Sequence, residues 1–217
     1  QFPDIKITVI ESPNTPVIGV GESTIGGIKD WMHLLNIKDH QFMKYCDASY
    51  KLSIKFNNFY ENNDVGFHYP FGQPALKGTK YGTNDWFHIK AFSEDLPVSN
   101  FAESFYPQLT LINNNKIDVN NILPGNSFDR DSAYHFDAIK FGKWLKEKYC
   151  KDLNVEVISE DITEIEQDEE GIKCLNNKYK ADLFIDCTGF KSLLLSKTLK
   201  EPFDSYEDLL PNNSAWT

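Results

Sequence analysis

Three short stretches of the sequence carry polar side chains where predicted strands end or alternate. Glu11 closes the apolar run 5–10, the turn 186–189 closes the run 183–185, and Lys51 lies in a stretch of alternating polarity. A carboxylate that ends a Rossmann-type strand accepts hydrogen bonds from the ribose of an adenine dinucleotide, and a lysine with a neutral fraction is a nucleophile. Taken singly, each signal also fits an ordinary solvated glutamate, strand–helix turn or surface lysine.

Hydrophobic periodicity predicts the elements that position these residues. Residues 5–10 predict a strand covered on both faces, and residues 48–60 predict a half-buried strand with Lys51 on its polar, solvent-facing side. Residues 31–46 predict a helix with a short break, and residues 138–149 an amphipathic helix. Four further elements are predicted: a strand at 155–158, a hairpin at 162–175, a buried strand at 183–185 and a helix at 191–199.

Residues 61–133 show little sustained period and are rich in aromatic residues, prolines, glycines and asparagines. The aromatic residues are densest over residues 67–92. A loop-rich segment of this composition fits a lid or a substrate pocket. It fits equally well a satellite hydrophobic cluster under long loops, and the sequence leaves both interpretations open.

Composition excludes several classes of protein. The net charge is −10 and no Lys/Arg stripe is present, so we expect no nucleic-acid partner. No stretch approaches the roughly 20 apolar residues of a membrane span, so no membrane association is predicted. The 4 cysteines form no CxxC pair, which predicts no metal site and reduced thiols in a cytoplasmic protein.

Six motifs, in order along the chain, resemble the flavin-dependent tryptophan halogenase family. They are GESTI at 21–25, FMKYC at 42–46, ASYKLSIKF at 48–56, YPFG at 69–72, YHFDA at 134–138 and LFIDCTGF at 183–190. The matching region extends from residue 5 to residue 203.

The resemblance implies an α/β fold of the FAD-binding, Rossmann-like type, a three-layer two-dinucleotide-fold flavoprotein with interleaved substrate-facing segments. We expect residues 1–217 to form a single incomplete FAD-binding halogenase domain with an aromatic-rich insertion at about 61–133. The G-x-G-x-x-G segment, the W-x-W-x-I-P motif, the glutamate of the family's second half and the C-terminal substrate module are absent from these residues. The chain is therefore expected to be truncated at both ends.

The resemblance also implies a chemistry. A separate flavin reductase supplies reduced FAD (FADH2), which reacts with O2 to give a C4a-hydroperoxide. Chloride or bromide attacks it, and the hypohalous acid travels through a tunnel to Lys51. That lysine either holds it by a hydrogen bond or becomes a haloamine, and an electron-rich aromatic substrate, tryptophan or indole-like, is halogenated. Lys55 is the rival on the same strand face, and the family spacing favours Lys51. A homodimer is left open.

Site residues follow from the same resemblance. The strap 21–24 is expected to lie along the flavin, with Lys51 on its far side, while Glu11 contacts the ribose and Ile162 the adenine. Tyr69 stands where the family has a histidine, and Gly26 where it has a proline. The cofactor-binding set is Glu11, Ser12, Val20, Gly21, Glu22, Ser23, Thr24, Ile162, Asp186 and Gly189; the substrate-binding set is Tyr69, Pro70 and Phe71.

Two other functions share the predicted cofactor fold. The first is a flavin-dependent monooxygenase that hydroxylates an aromatic substrate. The second is a non-catalytic flavoprotein fragment that binds a ligand or partner. Incorporation of bromide into product separates the halogenase from the first, and flavin binding separates both enzymes from the second.

Overall fold

The computed structural model describes residues 4–15, 23–62, 66–75, 82–124 and 126–214. The chain divides into two compact units. Unit 1 combines Gln1–Gly21 with Leu145–Thr217, and unit 2 is Glu22–Trp144. The aromatic-rich segment 61–133 lies wholly within unit 2.

Both units mix helices and strands, so the fold is of the mixed α/β type. The strands are β1 Thr8–Glu11, β2 Ser49–Lys51, β3 Ser53–Asn57, β4 Gly66–Pro70, β5 Ala133–His135, β6 Glu156–Ser159, β7 Ile165–Asp168 and β8 Gly171–Leu175. The α-helices are α1 Gly27–Leu34, α2 Asp39–Phe42, α3 Asn84–Phe92, α4 Asn100–Phe105, α5 Pro107–Asn113, α6 Ala138–Trp144 and α7 Cys150–Asp152. Further helical segments are not α-helical: Leu145–Tyr149 and Leu193–Thr198 are π-helical, and Gly189–Lys191 is a 3-10 turn.

Unit 1 contains a parallel pair and a hairpin. Strands β1 and β6 run parallel, with Thr8 opposite Glu156 and Glu11 opposite Ser159. The predicted hairpin is confirmed as the antiparallel pair β7–β8. Its turn ends at Gly171, whose φ of +132° is a conformation that glycine adopts without strain.

Two sequence predictions in unit 1 are wrong. The apolar residues Ile5, Ile7 and Val9 remain largely exposed, so the faces of the two-stranded β1–β6 sheet are not both covered. Residues 183–185 form no strand, and Leu183 and Ile185 are 75% and 76% exposed. No described strand pairs with residues 183–185, and no packed layer covers their apolar side chains in the described part of the chain. The predicted helix at 191–199 is confirmed only in part. The chain there forms a 3-10 turn, which is tighter than an α-helix, followed by a π-helical segment, which is wider.

Unit 2 is organised around Phe42, which is fully buried at the end of α2. Its ring makes edge-on contacts with Tyr134, Phe136 and Phe141 at centroid distances of 5.1, 6.3 and 5.4 Å. Such perpendicular aromatic packing is favourable beyond the burial of apolar area. The predicted helix at 31–46 is confirmed as α1 and α2 with a break between them.

Two of the four described strands of unit 2 come from the alternating stretch, which was predicted as one strand and forms two. Residues 48–60 contain β2, which pairs with β5, and β3, which pairs with β4, both antiparallel. The segment 61–133 also holds α3, α4 and α5, which periodicity did not predict. Trp86 and Phe105 each pack against Phe101 there, at 5.2 and 5.3 Å between ring centroids, so a satellite aromatic cluster is present.

Candidate active site

Lys51 is the last residue of β2 and is buried, with 7% of its surface exposed. It pairs with Ala133 of β5. The alternating pattern placed it on a solvent-facing side, and this prediction is wrong because residues 23–24 cover it. Its Nζ donates hydrogen bonds to Ser23 Oγ and, at 2.9 Å, to the Thr24 carbonyl oxygen.

Thr24 is itself fastened to the sheet. Its hydroxyl donates to the carbonyl oxygen of Tyr134, and the Tyr134 backbone N–H donates back to that hydroxyl at 2.8 Å. Tyr134 is the residue of β5 that follows Ala133, the partner of Lys51. Hydrogen bonds therefore hold the end of the predicted strap, residues 23–24, against both β5 and the side chain of Lys51.

Burial lowers the pKa of the Lys51 ammonium, and no charged neighbour among the described residues contributes to the shift. Both acceptors of its hydrogen bonds are neutral oxygens. Desolvation penalises the ammonium form and leaves more of the amine neutral at a given pH. Lys55, the rival in sequence, is exposed on β3 opposite His68.

The predicted substrate residues differ in their environments. Phe71 is buried, and its ring centroid lies 5.7 Å from Lys51 Nζ. Pro70 ends β4 opposite Ser53, while Tyr69 is 64% exposed. Only Phe71 of these three is shown in contact with the lysine. The ring of Phe71 forms one side of the environment that buries Nζ.

Gly72 fixes the turn that follows Phe71. It has a φ of +90°, and a Cβ added there would lie 2.5 Å from the Asp131 side chain. Both the conformation and the space therefore require glycine. The Phe71 backbone N–H donates to the Leu52 carbonyl at 2.9 Å, which extends the β3–β4 pairing toward Lys51.

In unit 1, three loops meet beyond the carboxyl ends of β1 and β6. Ser12 Oγ donates to the Asp161 carboxylate, and Asn14 Nδ2 donates to the same carboxylate at 2.5 Å. Lys191 Nζ donates to Thr15 Oγ1 at 3.1 Å. These bonds join the three loops that contain or adjoin the predicted residues Glu11, Ser12, Ile162, Asp186 and Gly189.

Glu11 ends β1 with a largely exposed carboxylate. Lys146 Nζ lies 2.5 Å from its Oε2, and both side chains are more than a third exposed. An ion pair this accessible contributes little to stability. The Glu11 carboxylate therefore remains accessible to solvent.

Asp186 uses its carboxylate on its own chain. It accepts hydrogen bonds from the Thr188 backbone and hydroxyl at 3.0 and 2.6 Å. It also accepts from the backbone N–H groups of Leu194 and Leu195 at 2.8 and 3.2 Å. It thus caps the turn Leu193–Thr198 and shapes the loop. Gly189, at φ +59° and open to solvent, leaves the backbone there accessible.

The remaining predicted residues, Val20, Gly21 and Glu22, lie outside the described part of the chain. Sequence reasoning missed Asp161, Lys146 and the side chains that support Lys51 from the opposite face. Asp161 carries no signal in the sequence, because its partner Ser12 is 149 residues away. In the described ranges, no group of three His, Cys, Asp or Glu side chains could hold a metal ion.

No helix in the described part of the chain combines the length and apolar character needed to cross a bilayer.

Comparisons with known proteins agree with the motifs. The profile of the tryptophan halogenase family matches residues 1–217. The 7-chloro-L-tryptophan 6-halogenase KtzR of Kutzneria sp. (strain 744) is 33% identical over 242 residues, which cover 97% of this chain and 44% of KtzR. The chain thus spans less than half the length of this curated relative.

Two solved structures are similar to this chain in fold. The VirX1 apo structure superposes with a TM-score of 0.82 at 38% identity and covers 94% of this chain and 41% of VirX1. The crystal structure of the tryptophan 6-halogenase SttH from Streptomyces toxytricini gives 0.75 at 28% identity, covering 95% of this chain and 41% of SttH. With a family profile that matches its whole length, the chain belongs to the flavin-dependent tryptophan halogenase family.

Proposed function

We propose that the protein is an FADH2-dependent halogenase in which Lys51 delivers the halogen to an electron-rich aromatic substrate. The observation that supports this most directly is the buried amine of Lys51, held by Ser23 and the Thr24 carbonyl beside the ring of Phe71. An amine in this environment has a lowered pKa and a fixed direction, which are the two properties that a halogen-transferring lysine needs.

FAD is assigned to unit 1, as part of a Rossmann-like three-layer fold. Parallel strands β1 and β6 support this, because their carboxyl ends lie at one edge and carry the polar loops. Glu11 would accept from the ribose hydroxyls, Ser12 and residue 162 would flank the adenine side, and the Asp186-shaped loop would approach through the backbone at Gly189. When bound and reduced, FAD with O2 and chloride or bromide supplies hypohalous acid.

Two roles for Lys51 are compatible with its hydrogen bonds. As an ammonium, Nζ donates to the oxygen of hypohalous acid and raises the electrophilicity of the halogen. As a neutral amine, nitrogen attacks the halogen, hydroxide leaves and takes up the proton, and a haloamine remains. The lowered pKa increases the neutral fraction that the second route requires.

The substrate class is an electron-rich aromatic molecule such as tryptophan or an indole. Phe71 is assigned to the wall nearest the lysine, with Tyr69 and Pro70 further along the same strand and turn. A separate flavin reductase would supply FADH2. Four cysteines, none of them in a disulfide, are consistent with a cytoplasmic enzyme.

The test is turnover of tryptophan and indole with FADH2, O2 and bromide, with products identified by mass. We expect Lys51→Ala to lower brominated product at least about 100-fold while reoxidation of the flavin continues at the wild-type rate. Lys55→Ala is the matched control, because Lys55 is exposed four residues further along the chain. Bromination retained by Lys51→Ala refutes the assignment of the lysine.

The other outcomes separate the remaining functions. A hydroxylated product without bromide in it identifies an aromatic monooxygenase. A protein that binds neither oxidised nor reduced FAD in a titration is a non-catalytic flavoprotein relative.

A further inference from the structure

Behind Lys51, a half-buried carboxylate gathers two tyrosine hydroxyls and one lysine. Asp39, the first residue of α2, accepts from Tyr50 at 2.7 Å and from Tyr134 at 2.5 Å. Lys29 Nζ lies 3.3 Å from the same carboxylate. Tyr50 and Tyr134 are directly opposite each other in the β2–β5 register, so Asp39 bridges the two strands.

The two tyrosine hydroxyls, together with the charge of Lys29, lower the pKa of this carboxylate. The lysine is 2% exposed, and its Nζ lies 4.5 Å from the ring centroid of Tyr134 and 4.7 Å from that of Phe128. Burial raises the pKa of Asp39, but the hydrogen bonds from Tyr134 and Tyr50 and the charge of Lys29 outweigh it, so the pKa is lowered overall. An ionised carboxylate accepts stronger hydrogen bonds than a neutral group.

The cluster reaches Lys51 along two short paths. Tyr50 immediately precedes Lys51 in β2, so holding its hydroxyl fixes the strand next to the lysine. Tyr134 bonds through its backbone to the Thr24 hydroxyl, and the Thr24 carbonyl accepts from Lys51 Nζ. Neighbouring residues of a strand point to opposite faces, so the cluster lies behind the sheet and does not contact Nζ.

We propose that Asp39 is a positioning residue that acts through Tyr50 and Tyr134 to hold Thr24 and the amine of Lys51 in one geometry. A role of Asp39 in halogen transfer rests on the proposed function. The positioning of Lys51 by Asp39 does not depend on that function. The cluster spans both strands and the strap, so loss of one hydroxyl loosens the acceptor of Lys51 while the apolar core stays in place.

Tyr134→Phe isolates the effect, because it removes the hydroxyl and retains the ring that packs on Phe42. Wild type and variant are acetylated at one fixed pH with N-hydroxysuccinimidyl acetate, and the rate at Lys51 is measured by peptide mass relative to exposed Lys44. We expect about fivefold faster acetylation of Lys51 in the variant, the change that loss of one hydrogen bond produces.

Tyr179→Phe is the matched control, since it removes a hydroxyl–carboxylate bond of 2.6 Å to Glu160 in unit 1. It should leave the Lys51 rate at the wild-type value. Tyr50→Phe is the second variant and should also speed acetylation, so the proposal remains testable if Tyr134→Phe does not fold. Wild-type rates at Lys51 in both folded variants overturn the proposal.

Turnover gives the second readout. In Tyr134→Phe, kcat for brominated product should fall about fivefold, with KM for the aromatic substrate and the rate of flavin reoxidation unchanged. A general loss of structure would instead lower kcat, change the rate of flavin reoxidation and raise KM, and that result overturns the positioning role. If wild type makes no brominated product, the proposed function fails, and the acetylation rates still decide the positioning.

Discussion

At the scale of single residues, the environment of one amine determines what the site can do. Lys51 and Lys29 are both buried, but Lys29 is paired with Asp39 while the acceptors of Lys51 are neutral oxygens. The carboxylate compensates the charge of Lys29 within the core. Lys51 has no such partner among the described residues, and burial lowers the pKa of its amine.

Gly72 tests whether the turn beside Phe71 is as restrictive as its geometry indicates. Gly72→Ala should destabilise the protein by about 1–3 kcal/mol, because alanine at φ +90° is strained and its Cβ would press on Asp131. Gly142→Ala in α6 is the control, since nothing lies within 4 Å of an added Cβ there. It should be neutral or stabilise by up to about 1 kcal/mol. Urea unfolding measures both, and equal effects would contradict the prediction.

At the scale of elements, hydrophobic periodicity and turn residues predicted the helices and strands whose packing partners are near in sequence. The hairpin β7–β8 and the α1–α2 break were found because alternation, an acidic glycine turn and helical spacing are local signals. Helix α3 was missed because its apolar residues surround the helix without forming one stripe. Residues 183–185 were misassigned because an apolar run predicts burial only where a neighbouring strand exists.

The residues of the candidate site also fall into those that the sequence predicted and those that depend on tertiary contacts. Lys51 was identified only through the family spacing, since its alternating strand predicted solvent exposure. The Asp39 cluster could not be predicted, because Asp39 is 10 residues from Lys29 and 95 residues from Tyr134. Contacts of that separation depend on the tertiary fold, to which neither periodicity nor motif spacing is sensitive.

Glu160, the residue after β6, links that strand to the loop that follows β8. The stability that this link provides depends on pH. It accepts from Lys178, Tyr179 and Asn176, and these bonds lower its pKa to about 2. The unfolded chain has a glutamate pKa of about 4.3, so this stabilisation is complete above that pH and is lost as pH falls toward 2. The free-energy difference between wild type and Glu160→Gln should therefore shrink over this range.

Urea unfolding at pH 7 and at pH 3 measures that difference. Glu169→Gln, at an exposed position in the hairpin turn, is the matched control and should show no comparable change with pH. A wild-type advantage over Glu160→Gln that is as large at pH 3 as at pH 7 would show that the carboxylate charge is not what stabilises the link.

At the scale of the whole molecule, the chain forms two compact units, and unit 2 is one continuous segment inserted into the sequence of unit 1. Unit 1 is closed by pairing residues near the start with residues about 148 positions later, as between Thr8 and Glu156. The residues assigned to the nucleotide lie in unit 1, and Lys51 with its support lies in unit 2. Each unit therefore carries one part of the proposed chemistry, and each can be monitored through its own buried thiol.

The four free thiols report on both units at once. Cys187 is exposed, whereas Cys46 in unit 2 and Cys174 in unit 1 are buried. Burial raises the pKa of the Cys46 thiol, and the charges of Asp137 and Asp47 raise it further, so little reactive thiolate is present.

With an aromatic disulfide reagent, Cys187 should react fastest, and Cys46 and Cys174 at least roughly 1,000-fold more slowly, through opening of their own units. Cys187→Ser should remove the fast phase alone. Urea should then release the two buried thiols, and peptide mass assigns each release to its unit. Fast modification of Cys46 in native buffer would contradict the closed core around Phe42, whose carbonyl accepts the Cys46 backbone N–H at 2.9 Å.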